Sequence, residues 1–525
     1  MPTLKTSKQQ LRKYLNKELS DEELKETITM LGTDIEAFSD EEVKIEVFPD
    51  RPDMLSAPGI IRAVNNFIKK PSKKAYQAKK GKAVVEVDKS VENVRAHTRC
   101  LIARNITIGE EELEELIELQ EKLHVTYGRN RKKVAIGMYP LEHIKLPITY
   151  QAKKPEDIQF IPLESNKQMN AKQLLNEHPT GKKYAHLLKE HKKYPVFTDA
   201  NNTVLSVPPI INSKQAGAIS TSTTELFVEV SGHLPRALQG ALNMIACALI
   251  DMGASIETVD VIYADNTVTS PQLQATTKEI DLKYVLERSK IPEKSLQESL
   301  EKMGLKLEKN TVHIPAYRMD FMHDVDVIED ALIGYGYNNL PSTIPTAYTT
   351  GGYTQKTQDH DLIRSILCGL GLQEVMTYTL AATGVSLANP LTQEYSHLRE
   401  EILNNLLGVL ENNLSRSYPQ NIYEIGPVFA TNSRTETGLK ETDHIAILLC
   451  SEQANYTRIR QVLEALTNTL DVNIEFSEHE DKRFISGRCA QVSGDIHGII
   501  GEIHPQELSS RGIMQPASAC EFYIK

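Results

Sequence analysis

At 525 residues and 40% apolar composition, the chain is long enough for roughly three or four domains, each with its own core. A net charge of -11 excludes indiscriminate nucleic-acid binding, and six scattered cysteines without a CxxC pair exclude a disulfide framework or a zinc site of that kind. The polar opening "MPTLKTSKQQLRKYL" and the lack of any run of about 18 apolar residues lead us to expect a cytoplasmic protein with no signal peptide and no membrane span.

Four segments follow in chain order. In residues 1–81 the pattern predicts a helix from Asp21 to Gly32 and a strand at "VKIEVF". After "DRPDM", where Arg51 can pair with Asp50 or Asp53, Ser56 caps a helix that Pro58 starts, with Ile60, Ile61 and Val64 on its apolar face. Lys69, Lys70, Lys73, Lys74, Lys79, Lys80 and Lys82 form an acid-free run around Pro71, either a solvated linker or a patch for phosphates.

Residues 82–265 open with strands at "AVVEV" and "RCLIARNITI". Short strands "TVLSVPPIIN" and "ELFVEVSG" follow, and then an apolar helix stopped by Gly253. Residues 266–346 carry a helix from Pro292 to Gly304 with Leu296, Leu300 and Met303 at helical spacing, a strand "TVHIPAY", and an acidic helix, together a small winged-helix-like module. In residues 347–525 the apolar stripe Leu398, Ile402, Leu406, Leu410 and Leu414 predicts a long helix, and "NIYEIGPVFA", "HIAILLC" and "GIIGEIHP" predict strands of an antiparallel sheet. The fold class expected is α+β, multidomain.

The stretch from Asp320 to Asp330 crowds four aspartates and a glutamate into eleven residues. On a helix, Asp326, Glu329 and Asp330 share one face at i, i+3 and i+4. Two readings stand: first-turn carboxylates that complement the helix dipole, or a cluster whose mutual repulsion is relieved by magnesium, a hard cation suited to carboxylate oxygens.

"IPAYRMDFMHDVDVIEDALIGYGYNNLP" resembles the signature of the phenylalanyl-tRNA synthetase beta-subunit family. So do "IEVFPDRPDMLSAPGIIRAV" near the N-terminus and "ANPLTQEYSHLREEILNNLL", "YEIGPVF" and "GEIHP" toward the C-terminus, in family order along the whole chain. The resemblance implies Mg2+ ligands at Asp320, Asp326, Glu329 and Asp330, the last where the family often has glutamate. It implies an α2β2 partnership with an alpha subunit that binds ATP and performs adenylation, and tRNA(Phe) as the second partner. It also implies that residues 347–525 form a degenerate class II synthetase-like domain. In keeping with that, "NIYEIGPVF" lacks an arginine to offer ATP, and Arg416 and Arg434 lie too far away on either side.

Residues 82–265 resemble the family's archaeal and eukaryal editing domain, through "VAIGMYPLEHIKLPITY" and "YPVFTDANNTVLSVPPIIN". A pocket for phenylalanine rejects tyrosine only about a hundredfold, so hydrolysis of Tyr-tRNA(Phe) completes the discrimination. By this resemblance the catalytic candidates are Ser206, Asn212, Glu229 and Ser231, with Glu229 reading the phenol. Each also has a plainer reading: Asn212 closing a turn after "PPII", Glu229 pointing outward from an alternating strand. The rival expectations are a scaffold without editing activity and a free-standing hydrolase unrelated to charging.

Overall fold

The computed structural model describes residues 2–40, 42–71, 76–347 and 349–524, so the expected basic run is described only outside Lys73 and Lys74. It divides into two compact units, Met1–Ile344 and Pro345–Lys525. The three expected N-terminal segments therefore share one unit. Among the described residues no helix is long and apolar enough to cross a membrane.

The first unit begins with a small antiparallel sheet, order β1 (Thr3–Thr6), β3 (Val43–Glu46), β2 (Asp34–Phe38). Ser56 caps the helix Ala57–Phe67 by accepting the Gly59 amide, and Ile60, Ile61 and Val64 are fully buried. "DRPDM" is a structural turn: both nitrogens Nε and Nη2 of Arg51 donate to Asp53, and the pair is buried.

A ten-stranded mixed sheet follows. Its strands are β4 (Ala78–Val87), β5 (His97–Arg104), β6 (Val134–Pro140), β7 (Ile148–Lys153), β10 (Tyr194–Thr198), β11 (Val204–Val207), β12 (Ile211–Asn212), β13 (Leu226–Gly232), β14 (Ser255–Ile262) and β15 (Thr267–Ser270). A separate hairpin pairs β8 (Gln159–Phe160) with β9 (Met169–Asn170). The sheet order is β12-β11-β10-β7-β4-β14-β5-β13-β6, with β15 on β14. Strand β4 already starts at Ala78, ahead of the boundary expected at residue 81.

Side chains alternate cleanly along β13. Leu226, Val228 and Val230 enter the core beneath the helix Pro235–Asp251, while Phe227 enters a second core with Tyr139, Tyr150 and Phe197 on the opposite face. Glu229 and Ser231 continue the Phe227 face. The polar residues of β13 are thus turned inward, not outward: Glu229 is 2% exposed.

The unit ends in a three-stranded sheet, β16 (Thr276–Glu279), β18 (Thr311–Ile314), β17 (Lys306–Glu308), with helices Leu282–Ser289, Glu293–Lys302 and Asp324–Tyr335. Its core includes Leu296, Leu300 and Val327.

The second unit is built on a seven-stranded sheet in the order β19 (Gln373–Glu374), β23 (Gln420–Thr431), β24 (Leu439–Cys450), β28 (Ala517–Ile524), β27 (Ile496–Ile503), β26 (Phe484–Gly494), β25 (Ile474–Glu478). Every pairing is antiparallel except β19 with β23. A small sheet of β20 (Leu380–Ala381), β22 (His397–Leu398) and β21 (Val385–Ser386) lies before it in sequence. The leucine stripe overran its helix, which spans only Leu403–Glu411: Leu398 lies in β22, Leu414 is exposed, and Ile402, Leu406 and Leu410 are buried. Glu521 sets the start, since its carboxylate accepts the amides of Ile402 (3.0 Å) and Leu403 (2.8 Å).

Candidate functional site

Glu229 sits mid-sheet, paired across β13 with Cys100 of β5 on one side and Gly137 of β6 on the other. Glycine is required at 137, because a Cβ there would stand 2.5 Å from Glu229 Oε1 and 2.4 Å from Tyr139 Oη. The carboxyl opens onto a cleft of about 420 Å³ that Ser206 and Asn212 also line, with Ile136, Met138 and Tyr184 among its apolar walls. Ser206 and Asn212 face each other across the β11–β12 pairing, brought together by the Pro208–Pro209 bend.

Tyr139 Oη lies 3.3 Å from Glu229 Oε1 and 3.3 Å from Asn212 Oδ1 and donates its one proton between them. Glu229 Oε2 and Ser206 Oγ are buried without a partner in hydrogen-bonding geometry, although the Ser206 hydroxyl lies close enough to Glu229 and Tyr139 to act on both. Burial pushes the Glu229 carboxyl up to about 8, against the pull of Arg95 and of the Tyr139 and Ser206 hydroxyls. It is therefore a neutral acid at pH 7, able both to donate and to accept.

Ser231 is placed differently. It is on the same face of β13 but does not line the cleft; its Oγ accepts from Nε of the buried Arg95 at 3.0 Å, and its carbonyl accepts from Nη2. Arg95 also donates to the carbonyls of Arg131 and Lys132. Those carbonyls are presented by a left-handed turn, Arg129, Asn130 and Arg131, with φ of 50°, 51° and 65°. From this turn Arg131 reaches the Ile210 carbonyl and Glu121 Oε1, each at 2.7 Å, and lies over the Tyr184 ring at 4.4 Å.

His124, the one histidine among the described lining residues, is not available as a base. Its Nε2 accepts the Ile136 amide at 2.8 Å and its Nδ1 meets Glu121. Burial would raise Glu121, but His124 and Arg131 outweigh it and hold that carboxyl down at about 2. Among the described lining residues no hydroxyl is hydrogen-bonded to His124, and the unpartnered oxygens of Glu229 and Ser206 are the groups left to bind a ligand.

The structure thus brings together Glu229, Asn212 and Ser206 and assigns Ser231 to Arg95. The sequence reading missed Tyr139, Arg95 and Gly137. Only Gly137 left a signal, a glycine inside a strand pattern that marks close approach.

The acidic helix is engaged otherwise than a ligand set would be. Asp326 Oδ2 accepts the amides of Met322 (2.6 Å) and His323 (2.7 Å), capping the helix. Arg318, 1% exposed, holds Asp320 at 2.6 Å and Asp330 at 3.0 Å. Glu329 is raised by burial and by Asp50, Asp330, Asp326 and Asp320. Among the described residues no three His, Cys, Asp or Glu side chains converge to hold a metal ion, so the four expected Mg2+ ligands do not form a coordination set as placed.

Residues 340–524 match the family model described as the phenylalanyl tRNA synthetase beta chain CLM domain, and residues 285–337 match the tRNA synthetase B5 domain. The phenylalanine–tRNA ligase beta subunit of Methanosphaera stadtmanae is 34% identical over 99% of this chain and 99% of its own. That of Archaeoglobus fulgidus is 36% identical over 94% and 93%. An N-terminal fragment of the phenylalanyl-tRNA synthetase beta subunit from Pyrococcus horikoshii, solved as a crystal structure, aligns with a TM-score of 0.60 at 31% identity, covering 64% of this chain and 99% of the fragment. With relatives of this identity matched from end to end, the chain belongs to the phenylalanine–tRNA ligase beta-subunit family.

Proposed function

We propose that this chain is the beta subunit of a phenylalanine–tRNA ligase, that it joins an alpha subunit to charge tRNA(Phe) using ATP bound on the alpha side, and that its Glu229 cleft hydrolyses Tyr-tRNA(Phe). Family membership supports the first part. The observation that carries the second is the pair of unpartnered buried oxygens, Glu229 Oε2 and Ser206 Oγ, at the floor of a mostly apolar cleft. A phenol entering there satisfies both. A phenylalanine leaves them unpaired, and a site built around a hydroxyl rejects the analogue lacking it by about 10⁴–10⁵.

Glu229 as a neutral acid donates to the phenol oxygen, while the phenol proton goes to Ser206. Water then attacks the aminoacyl carbonyl carbon, the ester C–O bond breaks, and the proton passes to the ribose oxygen as tyrosine leaves. The test is deacylation of preformed Tyr-tRNA(Phe) by the alpha–beta complex. Glu229→Ala and Ser206→Ala slow it at least roughly tenfold, the scale of one lost buried hydrogen bond, without slowing phenylalanine charging. Unchanged tyrosine release would leave the chain a scaffold.

A second reading is favoured by Glu329, whose carboxyl is raised by burial and by the neighbouring Asp50, Asp330, Asp326 and Asp320. Mg2+ held there, with the Oδ1 of Asp326, whose Oδ2 caps the helix, would neutralise that field. Melting curves with and without magnesium test it: a wild-type shift that Glu329→Ala removes supports it, and superimposable wild-type curves end it.

A further inference from the structure

We infer that the cleft between the start of helix Pro235–Asp251 and strand β16 binds the phosphate of a nucleotide, free or within an RNA strand. This cleft is separate from the Glu229 site, shares no lining residue with it, and does not depend on the editing reading.

The cleft has a volume of about 690 Å³, within the range that takes a nucleotide-sized ligand. Arg99, Arg236, Lys278 and Arg318 line it, and no Asp or Glu is among its described lining residues, on a chain whose net charge is -11. Two of these cations are spoken for. Arg318 is held by Asp320 and Asp330, and Lys278 lies 3.5 Å from Asp324.

Arg99 and Arg236 have no carboxylate partner among the described residues. Arg99 is 8% exposed, so most of its side chain is buried and it reaches the cleft with no carboxylate at its head. Its hydrogen bonds all leave from Nη1, to the Thr98 carbonyl (2.7 Å) and Tyr263 Oη (3.0 Å), so the Nε–Nη2 edge is left for an anion. Arg236 is exposed in the first turn of the helix, whose start carries no side-chain cap, and the positive end of the helix dipole adds to the same field.

Around these cations Gln239, Gln272, Gln274 and Thr276 offer donors and acceptors of the kind that read sugar and base edges, beside apolar walls from Val268, Ile314, Met319 and Phe321 on which a base can lie. A lone inorganic anion has no use for that second ring. A phosphate with a nucleoside attached uses both.

The experiment is fluorescence polarisation of the full chain with a labelled ten-nucleotide RNA, competed by adenosine monophosphate or inorganic phosphate. Wild type binds with salt-sensitive affinity, Arg236→Glu weakens binding roughly ten- to hundredfold, and Arg236→Lys keeps most of it. Since Arg236 is exposed, the charge reversal leaves the fold intact, and an unchanged melting curve verifies this. Arg99→Ala, if it melts like wild type, gives a similar loss. Competition by the mononucleotide assigns the site to a free nucleotide; loss on Arg236→Glu without such competition assigns it to a strand. Equal affinity in wild type and Arg236→Glu, or no binding by wild type, overturns the inference.

Discussion

The Glu229 carboxyl holds its proton to about pH 8 in the folded chain, whereas the unperturbed group releases it near 4.5. Its contribution to stability is therefore intact below pH 4.5, falls as pH rises through that window, and is fully lost above about 8, by up to roughly 5 kcal/mol. Glu115, raised by burial to about 7, acts in the same direction over the lower part of the window. Glu229→Gln removes the ionisation, so its melting temperature exceeds that of wild type increasingly from pH 5.5 to 9; parallel curves would refute a neutral Glu229. Gly137→Ala brings a Cβ into the Glu229 and Tyr139 oxygens and lowers stability by about 1–3 kcal/mol in denaturant titration. At this scale the nearness of Ser206 to Asn212 was legible, because both lie on short strands around a proline bend, whereas Glu229 joins them from the separate strand β13. Tyr139 and Arg95 were not: they meet the residues they serve across 90 and 136 positions of chain, a separation that local periodicity does not carry.

Elements start and stop where polar groups find partners. The helix Ala57–Phe67 could be read in advance because its cap is local, Ser56 to Gly59. The helix Leu403–Glu411 could not, because its N-terminus is fixed by a carboxylate 119 residues away, which also accepts from His444 Nδ1 at 2.7 Å. Glu521→Ala frees two buried amides and costs about 1–3 kcal/mol, measured by urea unfolding, with Glu521→Gln in between. The acidic helix shows the same limit: spacing put Asp326, Glu329 and Asp330 on one face, but spacing does not disclose that Arg318 reaches back to Asp320 and Asp330.

Across the first unit, buried ion pairs link distant stretches of chain. Arg62 reaches Asp251 at 2.7 Å and lies 4.3 Å from the Tyr317 ring, and Arg318 adjoins Asp330, itself raised by burial despite Arg318 and Arg51. Arg318→Ala strands Asp330 without compensation and lowers stability by roughly 3–5 kcal/mol, whereas the double variant Arg318→Met with Asp330→Leu recovers much of the loss. Calorimetry of the two variants checks this. The acid-free cleft at Arg236 belongs to this same unit, so a chain with excess negative charge still presents one concave region of opposite sign.

One consequence follows from Glu229 lying on a strand flanked by partners on both sides. Its peptide group exchanges with solvent only when the central ladder opens, so its amide ranks among the slowest to take up deuterium. Heating should therefore dismantle the Glu229 cleft at the temperature where the sheet itself melts, with no earlier loss from a loosening rim.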